Sequence, residues 1–472
     1  VAQSIDAVKA QGVAYFSAAG NDSNDETNPR EHAWESIAPV FTAAPTSGPM
    51  AGEQLLNFDT TGATTVTSLP VTIPALSPGE LVAVVVQWDQ PYVTGSPNSG
   101  GATSSIDLCV SGQAGGAAVS DVNGCTGPNT SGKDPVQILI ISNSASAAGP
   151  TAAAKLNIEI GLAGNTIGPG RIKLLLEDGG NTASIDDFAT NSSTIQGHPN
   201  AVGAAAVGAA FFFNTPECGM TPAVLERFSS QGGAPTLFDT SGKRLAVPTV
   251  RQKPDFVGPD GGSDTFLGFT LASANITGPA DTSIAQCHDD STHPNFFGTS
   301  AATPHAAAIA ALMLQANPGV TPTQIYDALR NSAAPMLGST PNFSSGYGFI
   351  QADAALARLP PAAPTLSLAA SSVAAGGSTT LTWTSINTTN CTASGSWSGT
   401  QKTSGSMMVT PSTAGTAAYT LSCANAVGSA SSTANLTVTP GGGGALGELT
   451  LLFMTGLGFA RAVRGRRRAS HG

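Results

Sequence analysis

The most informative segment of this sequence is Phe297-Gly-Thr-Ser-Ala-Ala-Thr-Pro-His305. It opens an Ala-rich apolar run that stops at Asn317-Pro318, which predicts a helix from Ser300 to Ala316. A serine at a helix N-terminus has its hydroxyl beside unpaired backbone N–H groups and the positive end of the helix dipole. This setting suits a nucleophile whose reaction creates an oxyanion, although a Gly-Thr-Ser cap on an ordinary core helix has the same local pattern.

Five segments elsewhere in the chain accompany this one in a fixed order. Two of them are Tyr15-Phe-Ser-Ala-Ala-Gly-Asn21 and His198-Pro-Asn-Ala-Val-Gly-Ala204. The other three, further along the chain, are Arg227-Phe-Ser-Ser-Gln-Gly232, Lys253-Pro-Asp-Phe-Val-Gly-Pro259 and Gly346-Tyr-Gly-Phe-Ile-Gln-Ala-Asp353. Together with the serine segment they resemble the subtilisin-like serine proteases (subtilases, of the peptidase S8/S53 superfamily). The resemblance covers about residues 1–45 and 196–359.

The resemblance implies a serine endopeptidase that forms an acyl-enzyme on Ser300. The Asn21 side-chain amide and the Ser300 backbone N–H would stabilise the oxyanion, although an asparagine in a turn has a purely structural use as well. One wall of the pocket for the residue before the scissile bond, and the approach of the substrate backbone, would be formed by Ala18, Ala19, Gly20, Gly298 and Thr299.

The catalytic aspartate and histidine of the family are expected upstream of Val1, because no histidine here has the family's His-Gly context. We therefore expect an N-terminally truncated chain that is inactive by itself. The sedolisins, a sister family, use glutamate and aspartate and carry an aspartate at the oxyanion position. Asn21 and the Pro304-His305 pair favour the histidine-using branch. The alternative function is an inactive, surface-displayed binding or adhesion protein on a subtilase scaffold.

The predicted fold class is α/β: an incomplete subtilisin-like parallel-sheet domain, interrupted by a β-sandwich and followed by further modules. Short apolar strands between turn clusters predict the inserted β-rich domain at 52–193. A Pro-rich linker, 360–363, precedes an immunoglobulin-like β-sandwich at 364–439. The spacer, short apolar helix and arginines of the tail occupy 440–472.

The tail resembles the GlyGly-type sorting signals of Gram-negative secreted proteins. Gly441–Gly444 precede sixteen mostly apolar residues, Ala445–Ala460, and then five arginines. This predicts a short transmembrane helix, cleavage by a membrane sorting protease, and an extracellular or cell-surface location after passage through the inner membrane. An ordinary single-span anchor is the alternative.

Composition and cysteines agree with secretion. Only 10% of residues are charged, and residues 1–440 carry 14 basic and 29 acidic side chains, a net charge of −15 that disfavours nucleic-acid partners. Polypeptides are the expected substrates. An even number of cysteines favours disulfides between sequence neighbours, although buried thiols are the alternative. The candidates are Cys109 with Cys125, Cys218 with Cys287, and Cys391 with Cys423.

No cofactor or metal is expected. The oxygen-rich stretches at Asn21–Glu26 and at Asp255, Asp260 and Asp264 leave a structural calcium open, because many subtilases carry one. Solvated acidic loops are the alternative for both stretches.

Overall fold

The computed structural model describes residues 1–22, 32–114, 124–129, 133–143, 152–179, 183–190, 192–274, 276, 283–336 and 338–441. Two compact units are present: unit 1 contains Val1–Met313 and Thr321–Leu356, and unit 2 contains Leu314–Val320 and the chain from Ala357 onward. In the described ranges, no helix has both the length and the apolar character needed to cross a membrane. The predicted apolar tail helix at 445–460 lies outside the described residues.

Among the described residues, four α-helices and seventeen strands precede the second unit's sheets. The helices are α1 Ala2–Ala10, α2 Thr299–Ala316, α3 Pro322–Ser332 and α4 Ala352–Ala357. The strands are β1 Tyr15–Ala18, β2 Ala33–Ser36, β3 Gln54–Leu55, β4 Leu69–Ile73, β5 Leu81–Trp88, β6 Ile106–Ala114, β7 Gly124–Cys125, β8 Val136–Ser142, β9 Ala154–Leu162, β10 Ile172–Glu177, β11 Ser184–Ile185, β12 Ala204–Phe211, β13 Pro235–Phe238, β14 Arg244–Val250, β15 Phe256–Asp260, β16 Gly262–Ser263 and β17 Asn295–Phe296.

A parallel sheet in the order β1-β12-β15 positions the candidate site. All eight residues of β12 are buried, as expected for a central strand covered on both faces. The sheet is braced by Tyr326 of α3, whose hydroxyl donates to the carbonyls of Tyr15 at 2.9 Å and Gly203 at 3.0 Å. A Cβ on Gly258 would lie 2.8 Å from the Ala302 carbonyl oxygen, so β15 lies directly against the start of α2.

A buried ion-pair network ties this sheet to α3. The Asp255 carboxylate, 1% exposed, accepts from Lys253 Nζ at 2.8 Å and from the Ala206 amide at 2.7 Å, and it pairs with Arg330. The start signal Thr321-Pro322 predicts a helix over 323–332. Helix α3 begins at Pro322, one residue earlier, and Thr321 and Gln324 form a capping box at its N-terminus.

Two antiparallel sheets form the β-rich region between β1 and β12. Their orders are β2-β10-β5-β8 and β11-β4-β9-β6-β7, with β3 also paired to β9. They enclose one hydrophobic core in which Trp34 packs edge-on against Phe58 at 5.1 Å between ring centroids. Because β2 pairs with β10, the first of these sheets includes Ala33–Ser36, ahead of the boundary at residue 52 that the sequence predicted.

Unit 2 contains two further sheets, in the orders β18-β20-β23 and β19-β25-β24-β21-β22. Trp383, Trp397 and Tyr419 pack in its core. Cys391 of β21 lies opposite Cys423 of β24, so their disulfide joins neighbouring strands of one sheet. The strands are β18 Thr365–Leu368, β19 Ser372–Ala374, β20 Thr379–Thr384, β21 Asn390–Gly395, β22 Gly399–Gln401, β23 Ser404–Val409, β24 Gly415–Ala424 and β25 Ser429–Thr439.

All three predicted disulfide pairs are confirmed. Cys109 pairs with Cys125 between β6 and β7, and Cys218 pairs with Cys287 across 69 residues of sequence. No free cysteine is present. The alternative of buried thiols was wrong.

Candidate active site

The candidate nucleophile lies at the start of α2, as the sequence predicts. Ser300 is exposed, whereas Thr299 and Gly298 before it are buried. The next two alanines, Ala301 and Ala302, are buried, and their amides donate to the Gly298 carbonyl at 2.9 and 3.2 Å. Small side chains at this point allow the helix to enter the core while Ser300 stays at the surface.

Asn21 lies beside Ser300 in a fixed orientation. Its Oδ1 accepts from the Thr299 amide at 3.0 Å and from the Thr299 hydroxyl at 2.9 Å. Both bonds use the oxygen of the side chain, and Nδ2 has no hydrogen-bond acceptor among the residues that the structure describes. Thr299 thereby has a function beyond the substrate contact that the sequence predicts, because it orients this amide.

Gly298 leaves open a small space between two hydrogen-bond donors. A Cβ at this residue, whose φ is +118°, would lie 3.1 Å from Asn21 Nδ2 and 3.7 Å from the Ser300 amide nitrogen. The two donors therefore border one space in front of Ser300, and a side chain at residue 298 would fill it. Two N–H donors around a common point are the arrangement that stabilises a tetrahedral oxyanion.

The turn that carries Asn21 is braced on its other side by Ser230. Gly20 has a φ of +113°, and a Cβ there would come within 2.7 Å of Ser230 Oγ. The Ser230 amide donates to the Gly20 carbonyl at 2.9 Å, and the Gly20 amide donates to Thr299 Oγ1 at 3.1 Å. Gly20, one of the predicted wall residues, is thus joined to the serine turn through Thr299.

Asp22 follows the oxyanion candidate and faces other carboxylates. Burial, followed by the charges of Glu177 and Asp178, raises the pKa of Asp22 to about 6, while His32 opposes the rise. Its Oδ1 accepts from the Asp178 amide at 3.3 Å. This contact joins the turn to the end of β10, so the inserted β-region reaches the rim of the candidate site.

Asp260 is a site residue that the sequence analysis did not assign to the site. It ends β15, is 0% exposed, and accepts from the Gly298 amide through Oδ2 at 2.8 Å. Burial raises its pKa to about 8, and the charge of Glu226 adds to the rise. The only sequence signal is an acidic residue directly after the Gly-Pro that closes the Lys253–Pro259 segment.

No histidine of the described residues hydrogen-bonds the Ser300 hydroxyl. His305 contacts the Ala301 carbonyl through Nδ1 at 2.9 Å, and His293 contacts Asp290 at 2.8 Å. Both contacts are local, because their partners lie three or four residues away in sequence.

The three aspartates considered as calcium ligands, Asp255, Asp260 and Asp264, do not lie together as one metal site in the structure. Asp255 is paired with Lys253 and Arg330, Asp260 accepts from Gly298, and Asp264 accepts from the amides of Phe266 and Leu267. The first stretch extends outside the described residues. The one described group with metal-ligand spacing is Asp107, Cys109 and Cys125, and its cysteines are joined in a disulfide, so they offer no thiolate.

Known proteins resemble parts of this chain. Alkaline elastase YaB of a Bacillus species is 46% identical over 63 residues, which are 13% of this chain and 16% of the elastase. Subtilisin BL of Lederbergia lenta is 39% identical over 84 residues, which are 18% of this chain and 30% of that subtilisin. A solved structure of proteases from Pseudoalteromonas arctica PAMC 21717 aligns with 35% of this chain and 48% of its own, at 21% identity and a TM-score of 0.18.

The chain spans less than a third of the length of these two curated relatives. The family evidence is more extensive, because the profile of the subtilase family, peptidase S8, matches residues 1–348. That range includes both parts of the parallel-sheet fold, the inserted sheets and the whole candidate site. The chain therefore belongs to the subtilase family.

Proposed function

We propose that this protein is a serine endopeptidase in which Ser300 Oγ attacks the scissile carbonyl and forms an acyl-enzyme. The observation that carries the proposal is the space kept open by Gly298 between Asn21 Nδ2 and the Ser300 amide. An oxyanion in that space would receive one hydrogen bond from each donor. Water then releases the acyl group and regenerates the serine.

The proton of Ser300 requires a general base. We propose that the histidine and aspartate partners come from protein outside the present sequence, since no described histidine hydrogen-bonds the Ser300 hydroxyl. Ala18, Ala19 and Gly20 would form one wall of the pocket for the residue before the scissile bond. The opposite wall would come from the same additional segment. Substrates are therefore proposed only as polypeptides, without a sequence preference.

We propose an extracellular or cell-surface location, with the 440–472 tail as a GlyGly-type sorting signal that is cut by a membrane protease. Unit 2 is proposed to be an immunoglobulin-like module, because its two sheets enclose a core of two tryptophans and a tyrosine beside a disulfide. Cell fractionation of the natural protein, with and without residues 440–472, tests the tail. Equal amounts of the full and the shortened protein at the cell surface would contradict the proposal that residues 440–472 are a sorting signal.

The function is tested by Ser300→Ala in the protein expressed from its complete natural reading frame. Peptide hydrolysis should fall by about 10⁶-fold, because loss of the nucleophile leaves only residual catalysis. Ser291→Ala is the matched control, since Ser291 is exposed and lies only nine residues earlier. Hydrolysis by Ser300→Ala at the wild-type rate, with unchanged circular dichroism, would overturn the assignment.

A further inference from the structure

Three consecutive amides at the start of α2 have different environments. The Gly298 amide donates to Asp260 Oδ2 at 2.8 Å, and the Thr299 amide donates to Asn21 Oδ1 at 3.0 Å. The Ser300 amide has no acceptor among the described residues. Two side chains thus hold the first two N–H groups and leave the third for a ligand.

We infer that Asp260 is a positioning residue for the oxyanion site: its carboxyl group holds the Gly298 amide so that the Ser300 amide and Asn21 face the same space. This inference rests on the proposed function. It adds a group that touches neither substrate nor the reacting atoms and acts through the backbone of the nucleophile turn.

The surroundings of Asp260 make this contact rigid. Strand β15 is fixed between β12 and α2, and the Gly261 amide donates to the Phe296 carbonyl at 2.9 Å. The buried Asn295 side chain donates to the Gly261 carbonyl at 3.0 Å. The chain before Gly298 is therefore held to the end of β15, and Asp260 adds a contact at the turn itself.

The uncharged acid is the form that suits this position. Oδ1 of Asp260 is buried without a hydrogen-bond partner among the described residues, so an ionised carboxylate would lack solvation there. A full negative charge behind Gly298 would also oppose the negative charge of an oxyanion in front of it. Burial, assisted by Glu226, keeps the pKa of Asp260 at about 8, which favours the neutral acid at pH 7.

Few other ionisable groups face Asp260. Strand β12 and residues 295–299 contain none, and α2 contains only His305, which is exposed and contacts the Ala301 carbonyl. Glu226 is itself buried enough to have a raised pKa, which Arg227 partly opposes. Asp289 contacts the nearby Asn295 amide at 2.8 Å. The alkaline titration of the turn is therefore assigned to Asp260 with Glu226 as its electrostatic neighbour.

Two substitutions separate the hydrogen bond from the charge. Asp260→Asn keeps an acceptor for the Gly298 amide and cannot ionise, whereas Asp260→Ala removes the acceptor. In the natural full-length protein, Asp260→Ala should lower kcat at least about tenfold with KM within about twofold, and Asp260→Asn should restore most of kcat. Wild-type kcat should fall above about pH 8 as the acid ionises, and Asp260→Asn should lack this fall.

A thermal measurement tests the same carboxyl without using catalysis. The folded-state pKa lies above the unfolded value, so the folded chain alone keeps the proton between about pH 4 and pH 8, and stability falls as pH rises through this window. Asp260→Asn should therefore raise Tm at pH 8 by about 5 °C and have little effect at pH 4. The Tm measurement does not depend on catalysis by Ser300. A failure of the proposed protease function would therefore appear in the Ser300→Ala assay and not in the Tm of Asp260→Asn.

Wild-type kcat in Asp260→Ala, or an alkaline limb retained by Asp260→Asn, would overturn the positioning function. An equal effect of Asp260→Asn on Tm at pH 4 and pH 8 would contradict the claim that the buried Asp260 carboxyl group is neutral in the folded protein. If Asp260→Ala fails to fold, two comparisons of Asp260→Asn with wild type remain. These are the fall in kcat above about pH 8 and the change in Tm between pH 4 and pH 8.

Discussion

At the scale of single residues, the site depends on how Thr299 and Gly298 arrange two donors. Thr299 donates to Asn21 Oδ1 through its amide and hydroxyl, and the same hydroxyl accepts from the Gly20 amide. One side chain thus fixes the orientation of the oxyanion candidate and the position of the turn that carries it.

Replacing Thr299 by valine tests this arrangement, because valine keeps the β-branched shape and removes the hydroxyl. Two hydrogen bonds of about 1 kcal/mol each are lost, so we expect kcat to fall about tenfold or more with little change in KM. Thr299→Ser should retain activity, and the exposed Thr323→Val serves as the control. Full activity in Thr299→Val would show that Asn21 is oriented by other contacts.

At the scale of structural elements, the sequence predicts those that depend on local patterns. The Ala-rich apolar run predicts a helix over 300–316, and α2 covers Thr299–Ala316. The Thr321-Pro322 signal predicts a helix over 323–332, and α3 covers Pro322–Ser332. The apolar stretch 13–19 predicts a strand, and β1 covers Tyr15–Ala18. The pairing of β2 with β10 depends on contacts 136 or more residues apart, and no local pattern records it. The Asp260–Gly298 bond has the same origin, because it exists only once β15 lies against α2.

The inserted β-region explains why the site could be predicted only in part. Asn21, Gly298, Thr299 and Ser300 lie in motifs and were assigned from the resemblance. Asp22 and Asp178 meet only because the insertion returns to the oxyanion turn, and the sequence separation of 156 residues conceals that contact.

The disulfides give a prediction at this scale. The Cys218–Cys287 bond spans 69 residues and the Cys109–Cys125 bond spans 16. Chain entropy predicts that removing the first pair by serine substitution costs about 4 kcal/mol of unfolding free energy, against about 3 kcal/mol for the second. Urea unfolding of the two double-serine variants measures the difference, and a larger loss for the Cys109–Cys125 variant would contradict the ordering.

At the scale of the whole molecule, the two units differ in their ionisable groups. The described part of unit 2 has only Arg358, Lys402 and Tyr419, and the pKa of Tyr419 is raised above its ordinary value by burial. The described part of unit 2 contains no carboxylate or histidine side chain. In unit 1, burial raises the pKa values of Asp22 and Asp260 to about 6 and about 8, so their contribution to its stability falls as pH rises from 5 to 8. Above pH 8 the effect of Lys173 is opposite, because burial lowers its pKa to about 8.

Scanning calorimetry should therefore give a unit 2 transition that moves by less than about 2 °C between pH 5 and pH 8, while the unit 1 transition falls by several degrees. A Cys391→Ser, Cys423→Ser double variant identifies the unit 2 transition, because it should lower only that one. Parallel movement of both transitions with pH would contradict the assignment of the pH dependence to unit 1.

The central claim is that Ser300 is the nucleophile of a serine endopeptidase. The most direct measurement is labelling of the natural full-length protein with a fluorophosphonate, followed by mass spectrometry of its peptides. A single covalent adduct on Ser300, absent after heat denaturation and in Ser300→Ala, is the predicted result. An unlabelled Ser300 in a preparation that cleaves peptides, or an adduct on another serine, would contradict the claim.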